Sequence, residues 1–369
     1  MATALGAERC DAYVTPTGII ATITAGSEHR TRIQRITRTG VDLSRVAAVL
    51  DISREAAEGR RDRAGVRAAL EQVATQPRVY NRSVITVAVG LACACTAVLF
   101  GGGVEEFGVA FVAAAVAFLV RESLLGYNLS RPLLTGFVAM LVSGLALGLT
   151  RLLDTPHPAQ ALIASTVFLV PGVLMVSSIA DLFRGDTISG VARGTAALLT
   201  LVAIAGGTWA MLLLAHDQLD LRPGQFDLLY AAPLLALCSA GGFGVMFDVP
   251  RRALFAAAAV GAVAYLVYRL VLLSSSSVGV AAFLAGATIS LLAEVLSRPF
   301  RLPTSIFSIP GFLPLVPRGA AFRTLLFFVV DDYADATVSL VRTAITVVAL
   351  VAGIGTVSAL ARLGRKPAL

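Results

Sequence analysis

The sequence predicts a polytopic all-α membrane protein. About ten transmembrane helices in two five-helix repeats are expected, with a small cytoplasmic α+β N-terminal domain. Three observations predict this. Hydrophobic residues make up 57% of the 369-residue chain and charged residues 14%, where a soluble domain carries about 25% charge. Apolar runs fill most of the chain after residue 82, and the mean hydropathy is +0.81. Two of those runs carry a Pro-Gly interruption, at Pro171-Gly172 and at Pro310-Gly311.

The N-terminal domain, residues 1–82, comes first. Val14, Ile19, Ile20, Thr22 and Ile23 favour strand, Gly26-Ser27 marks a turn, and Thr31, Ile33 and Ile36 resume β character, so a hairpin is expected over 12–38. From Asp42 the pattern turns helical, with Asp42 or Ser44 as the cap and an interruption expected near Asp51. A second amphipathic helix ends near Pro77. Such a domain is too small for a large core of its own, so it should pack on the membrane part or pair in a homo-oligomer. It mixes acids and bases, unlike a nucleic-acid-binding tail. MATALGAERC has no apolar core, so the first span should direct insertion.

Ten spans follow, at about 83–101, 107–121, 131–150, 159–180, 189–215, 227–247, 251–273, 277–297, 303–329 and 335–360. They group into a first membrane module, 83–215, an extracytoplasmic connector, 216–226, and a second module, 227–361, before a cytoplasmic tail, 362–369. Arginines gather on alternate turns: Arg121 with Arg131, Arg184 with Arg193, Arg251 with Arg252, and Arg298 with Arg301. The positive-inside rule then puts both ends in the cytoplasm of a bacterial inner membrane. Arg318 and Arg323 break the pattern, and a cavity lining is the alternative for them.

Similar segments recur. EFGVAFVAAAVAFLV at 106–120 resembles RRALFAAAAVGAVAYLV at 251–267, and VFLVPGVLMV at 167–176 resembles IFSIPGFLPLV at 306–316, with offsets of about 140 residues. Five spans per half would make the halves inverted in the membrane. Proline and glycine let a chain leave helical geometry, which a bilayer tolerates only where protein or a water-filled cavity covers the freed backbone. The two breaks are therefore expected to meet around one water-accessible chamber.

The candidate binding or coupling residues cluster there: Pro171, Gly172, Asp181, Gly185, Asp186 and Arg193 in the first half, and Glu294, Pro310, Gly311 and Arg318 in the second. Half-helix N-termini could hold a carboxylate, and Asp181 or Glu294 could face an ammonium group or carry a proton. The alternative reading of Asp181, Arg184, Asp186 and Arg193 is an interfacial salt-bridge cap. Glu105 and Glu106 read as solvated loop acids. Enzyme chemistry has little to stand on: His29, His157 and His216 are scattered, Cys10, Cys93, Cys95 and Cys238 have no metal or disulfide spacing, and no phosphate-binding GxxxxGK[ST] loop is present. No cofactor is expected, and the proton gradient is the energy source in the favoured reading.

The chain resembles the threonine/serine exporter family. The match runs from VTPTGIIATIT and TRTGVDLSRVAAVLDISRE through LVPGVLMVSSIADLFRGDTISGVARG at 169–194 to FGVMFDVPRRAL and SIFSIPGFLPLVPRG. The resemblance implies ten spans and proton-coupled export of threonine and serine, with amino acid, protons and membrane lipid as the partners. A channel for small polar solutes and a non-transporting membrane subunit are the alternatives. Two departures stand out. The helical stretch with an arginine–glutamate signature that precedes the strands in the family is missing, which implies a truncated start or a reduced soluble domain. Pro317-Arg318 stands where the family often has Pro-Gly.

Overall fold

The structure, a computed structural model, describes residues 2–3, 6–15, 18–36, 40–127, 130–215, 230–275, 277–329 and 332–363, with only the backbone of Arg318, Gly319, Val329 and Arg362. The connector 216–226 and residues 364–369 of the tail lie outside the described residues, as do His216 and Asp331.

The β-rich start forms three strands rather than one hairpin. β1 (Arg9–Thr15), β2 (Gly18–Ala25) and β3 (Glu28–Arg35) pair antiparallel in the order β1-β2-β3. Gly26 takes a positive φ in the expected turn, and Tyr13, Ile20 and Ile33 align across the three strands. α1 (Leu43–Ala57) starts where Asp42 accepts a hydrogen bond from the Arg45 backbone N–H. It runs unbroken through Asp51, whose carboxylate faces outward to Arg54 instead of competing for the backbone. α2 (Arg63–Thr75), capped by Asp62, packs on α1 through Ile52, Ala56, Val66 and Ala69. Hydrogen bonds join this domain to the membrane part: Leu43 N–H to the Phe247 carbonyl at 2.9 Å, and Ser189 Oγ to the Val14 carbonyl at 3.1 Å.

The rest is helical: α3 (Arg82–Leu99), α4 (Val104–Leu124), α5 (Arg131–Leu153), α6 (Pro158–Thr166), α7 (Gly172–Phe183), α8 (Thr187–Ala215), α9 (Ala232–Met246), α10 (Arg251–Ser275), α11 (Val278–Phe300), α12 (Ser305–Phe312), α13 (Arg318–Val329) and α14 (Tyr333–Leu363). Seven of these, α3, α4, α5, α8, α10, α11 and α14, are long and apolar enough to cross a membrane. The bent pair α6–α7 makes up to eight. Ten was the sequence expectation. The difference lies at 227–247, where α9 has only 15 helical residues, and at 303–329, which divides into two short helices.

The helix starts recur at a near-constant interval. Val104 and Arg251, Arg131 and Val278, and Pro158 and Ser305 are each 147 residues apart; Gly172 and Arg318, and Thr187 and Tyr333, are 146 apart. Packing recurs too. α5 lies on α8 as α11 lies on α14, and α7 lies on α8 as α13 lies on α14. Glycine makes the first contact possible. A side chain on Gly207 would overlap the Gly136 carbonyl of α5, and one on Gly353 would overlap the Phe283 carbonyl of α11. α3 and α9 are antiparallel neighbours, with Ala88 against Gly242 and Thr96 Oγ1 at 3.2 Å from Ser239 Oγ.

Two expectations are corrected here. The second break does not fall at Pro310-Gly311. α12 continues through both residues to Phe312, and the chain leaves helical geometry over Leu313–Val316, before Pro317. Gly311 lets that helix press against α10, since a Cβ there would meet Val260 at 2.8 Å. In element order Pro171 precedes α7 and Pro317 precedes α13, 146 residues further on. Glu106 is not a solvated loop acid. It is fully buried, accepting from Gly103 N–H at 2.6 Å and from His157 N–H at 2.8 Å, and so ties the start of α4 to the start of α6. Glu105 beside it is exposed.

Candidate transport site

The break at Pro171 follows from its backbone. α6 tightens into a 3-10 turn at Val167–Leu169, and Val170 is extended. Pro171 has no N–H to continue the ladder, and it becomes the first residue before α7. The two halves of the segment meet at 61°. Gly172 is buried at the first position of α7. The Pro171 carbonyl already accepts from Met175 N–H at 3.0 Å, so the new helix starts at once.

α7 and α8 form a tight hairpin. Gly185 turns the chain with φ +84, a conformation that favours glycine, and a Cβ on Gly190 would run into Leu182 at 2.7 Å. Ser178 Oγ donates to the Gly190 carbonyl at 2.7 Å. Within this clasp Arg193 Nη1 donates to Asp181 Oδ2 at 2.5 Å. Asp181 is buried, at 7% exposure, while Asp186 is exposed and holds the hairpin through its backbone, its carbonyl accepting from Gly190 N–H. The structure thus brings Asp181, Gly185, Asp186 and Arg193 together, with Pro171-Gly172 at the far end of the same short helix. A charge-assisted pair this close is strong for its type, but its edge position moderates its worth.

The second-half candidates are more scattered. Pro310 and Gly311 are buried between α9, α10 and α11. Glu294 is half-buried on α11. Arg318 opens α13, and its side chain lies outside the described residues. α13 packs on α6 and α8, and α7 packs on α14. A cleft of about 500 Å³ opens beside Arg78, Tyr80, Arg82 and Arg251, and one of about 360 Å³ on the β-sheet. Neither is lined by residues of the breaks. Among the described residues, no group of three or more His, Cys, Asp or Glu gathers as a metal site.

Two buried acids stand outside the sequence candidates. Glu106, read there as a loop acid, is one. The other is Asp248, in the α9–α10 turn, buried at 3% exposure with φ +54. Its Oδ1 accepts from Val79 N–H at 3.2 Å, and Arg78 Nε lies 3.7 Å from Oδ2. Burial pushes its carboxyl above the ordinary carboxylate range; nearby Asp42 adds to this, while Arg78 opposes it. The signal was there in FGVMFDVPRR, an acid inside an otherwise apolar helix end.

Comparison with known proteins gives the following. A family profile described as "Putative threonine/serine exporter" matches residues 1–215, and a second, "Threonine/Serine exporter, ThrE", matches residues 233–360. The chain is 32% identical over 212 residues to the "Probable succinate transporter subunit YjjP" of Klebsiella aerogenes and to the protein of that name from Escherichia coli K12, covering 56% of this chain and 81% of each relative. It is 24% identical over 313 residues to the "Threonine/serine exporter" of Corynebacterium glutamicum, covering 81% of this chain and 63% of that protein. No solved structure matches.

Proposed function

The chain belongs to the threonine/serine exporter family, with both membrane modules in one polypeptide, and on that premise we propose that it exports small neutral amino acids, threonine and serine, in exchange for protons. As a member of that family it is a membrane transporter, polytopic by its run of apolar helices. The observation that carries the finer reading is the bent segment α6–α7, which ends in the Asp181–Arg193 pair.

The mechanism we propose uses the modules as inverted halves, ten crossings in all, with α6–α7 and α12–α13 as their broken spans. Both chain ends are then cytoplasmic, in the bacterial inner membrane. Inverted halves rocking about a shared site give alternating access. The Gly172 N–H is taken by the Val170 carbonyl at 2.8 Å, and the backbone N–H groups that follow it in the first turn of α7, with the positive end of the helix dipole, would favour a carboxylate. Protonation of Asp181 would neutralise it and release Arg193, loosening the α7–α8 clasp. Charge on one residue would thereby bias the packing of a broken helix. The close packing at Gly190 and Ser178 makes this a tight clasp rather than a loose turn.

A second reading has its own support. The relatives named as probable succinate transporter subunits match over 212 residues at 32% identity, higher than the 24% of the exporter over its longer alignment of 313 residues. A dicarboxylate cargo is therefore the competing substrate. One experiment separates these readings from each other and from a channel. Proteoliposomes holding the purified chain are loaded with threonine, serine or succinate, and a pH gradient is imposed in each direction. The proposal expects gradient-driven movement of threonine and serine, with counterflow, and a loss of at least tenfold in gradient-driven rate for Asp181→Asn. Succinate movement alone would favour the second reading. Flux without counterflow would mean a channel, and unaltered coupling in D181N would remove Asp181 from the mechanism.

A further inference from the structure

Arg323 is the sixth residue of α13, between the fully buried Phe322 and the buried Thr324. It is half-buried itself. Two other arginines of the membrane part have acids beside them, Arg193 with Asp181 and Arg121 with Glu122, and Arg251 lies over the Tyr80 ring but also donates to the Val79 carbonyl. Arg323 has a ring. Its Cζ lies 5.8 Å from the centroid of Phe100, and among the described residues no carboxylate lies within ion-pair distance of it. Arginine does not give up its proton in a protein, so this charge persists at any working pH. Desolvating a permanent cation without a counter-ion is costly, and such residues in membrane segments mark solute or ion paths.

The stacking contact also says what is left over. An aromatic face attracts the cation without using any of its N–H donors. The guanidinium keeps a planar fork that matches a carboxylate through two parallel hydrogen bonds. The location is right for a solute. Phe100 closes α3 and packs with Ala97, Ala110 and Ala164. Ala164 sits near the end of α6, just before the Pro171 bend, and α13 itself starts at the second break. One side chain therefore stands on the second broken segment, against a ring that packs on the first.

We infer that Arg323 binds the carboxylate of the transported solute. The inference rests on the transporter reading, but not on which cargo is right, since threonine, serine and succinate all carry that group. Phe100 is the positioning residue: it holds the guanidinium plane while the fork waits for its anion. Glutamine at 323 would keep much of the shape and lose the charge. Lysine would keep the charge and lose the fork.

The test uses the full chain, purified in detergent and in proteoliposomes. Melting temperature is titrated with threonine, serine, succinate and propionate, and with propionamide as the neutral match. The wild type should be stabilised by carboxylates and not by propionamide. R323Q should weaken carboxylate binding at least tenfold and leave the response to propionamide unchanged, an altered discrimination that loss of structure alone does not produce. R323K, which serves if R323Q fails to fold, should weaken it at least threefold. A wild type that ignores every carboxylate, or variants that bind them with unchanged affinity, would overturn the inference. A wild type that binds carboxylates through Arg323 but moves none of them in proteoliposomes would sink the transport reading and leave the site standing.

Discussion

The bent segment α6–α7 and the pair of short helices α12–α13, which we propose as the broken spans of the two modules, differ in their chemistry. In the first, Pro171-Gly172 opens α7, and the short helix is clasped to α8 by Asp181 and Arg193. In the second, Pro317-Arg318 opens α13, a helix of the same length, 12 residues. At the sixth position of each stands Ser177 or Arg323. One segment thus carries a compensated pair near the edge of the fold, and the other an arginine whose partner is an aromatic ring. The lesson is that equivalent backbone does not imply equivalent roles.

The largest effect should come from bulk at the helix contacts that support both segments. Gly207→Val and Gly353→Val each push a side chain into a neighbouring carbonyl, and each should cost ~3 kcal/mol or lower folded yield outright. Melting in detergent reads this. Equal losses would strengthen the equivalence of the halves, and a tolerated substitution in one half would break it.

The two arginines should then part company. Arg193→Gln leaves Asp181 buried without its partner and should cost ~2 kcal/mol, below the full penalty of a deeply buried pair because Arg193 is partly exposed. Arg323→Gln loses a ring contact but also an uncompensated charge, so its stability should change by less than ~1 kcal/mol in either direction. The same melting assay decides. If R323Q costs as much as R193Q, then Arg323 is structural after all.

A smaller effect concerns Asp248, which has no acid at the corresponding Gly101 of the first half. Its raised pKa means the folded state holds the proton more tightly than the unfolded chain does. Its stabilising contribution is present below the ordinary carboxylate value of about 4 and is lost as pH rises through the raised value. Melting followed from acid to neutral pH should show this decline in the wild type and a flatter profile in Asp248→Asn. Profiles of equal slope would remove Asp248 as a titrating link between the N-terminal domain and the membrane part.

Much of this was legible in the sequence. Hydropathy located the apolar segments to within a few residues, the Gly26 turn was read from its residues alone, and Asp42 was one of two residues offered as the cap of α1. The failures have particular causes. Pro310-Gly311 looks like Pro171-Gly172, but proline is a local word, and it is Pro317 that precedes a helix as Pro171 does. Glu106 follows a glycine triplet that reads as an exposed turn, yet it caps its own helix and reaches His157, a contact 51 positions away in the chain. Asp181 and Arg193 were seen as a cluster, but their pairing needed the hairpin at Gly185. Arg323 was marked as misplaced by its charge, while its want of an acid depends on α3, a helix far away in sequence.

The central claim is that both broken segments border one solute path, and site-directed labelling tests it most directly. Ser177 on α7 and Ala320 on α13 are half-buried and tolerate cysteine by size. In a chain whose four native cysteines are replaced, S177C and A320C are each exposed to a water-soluble maleimide, with and without saturating cargo. The account predicts that both positions label and that the same solute protects both over the same concentration range. Labelling at neither, or protection at one with the other indifferent, would contradict it.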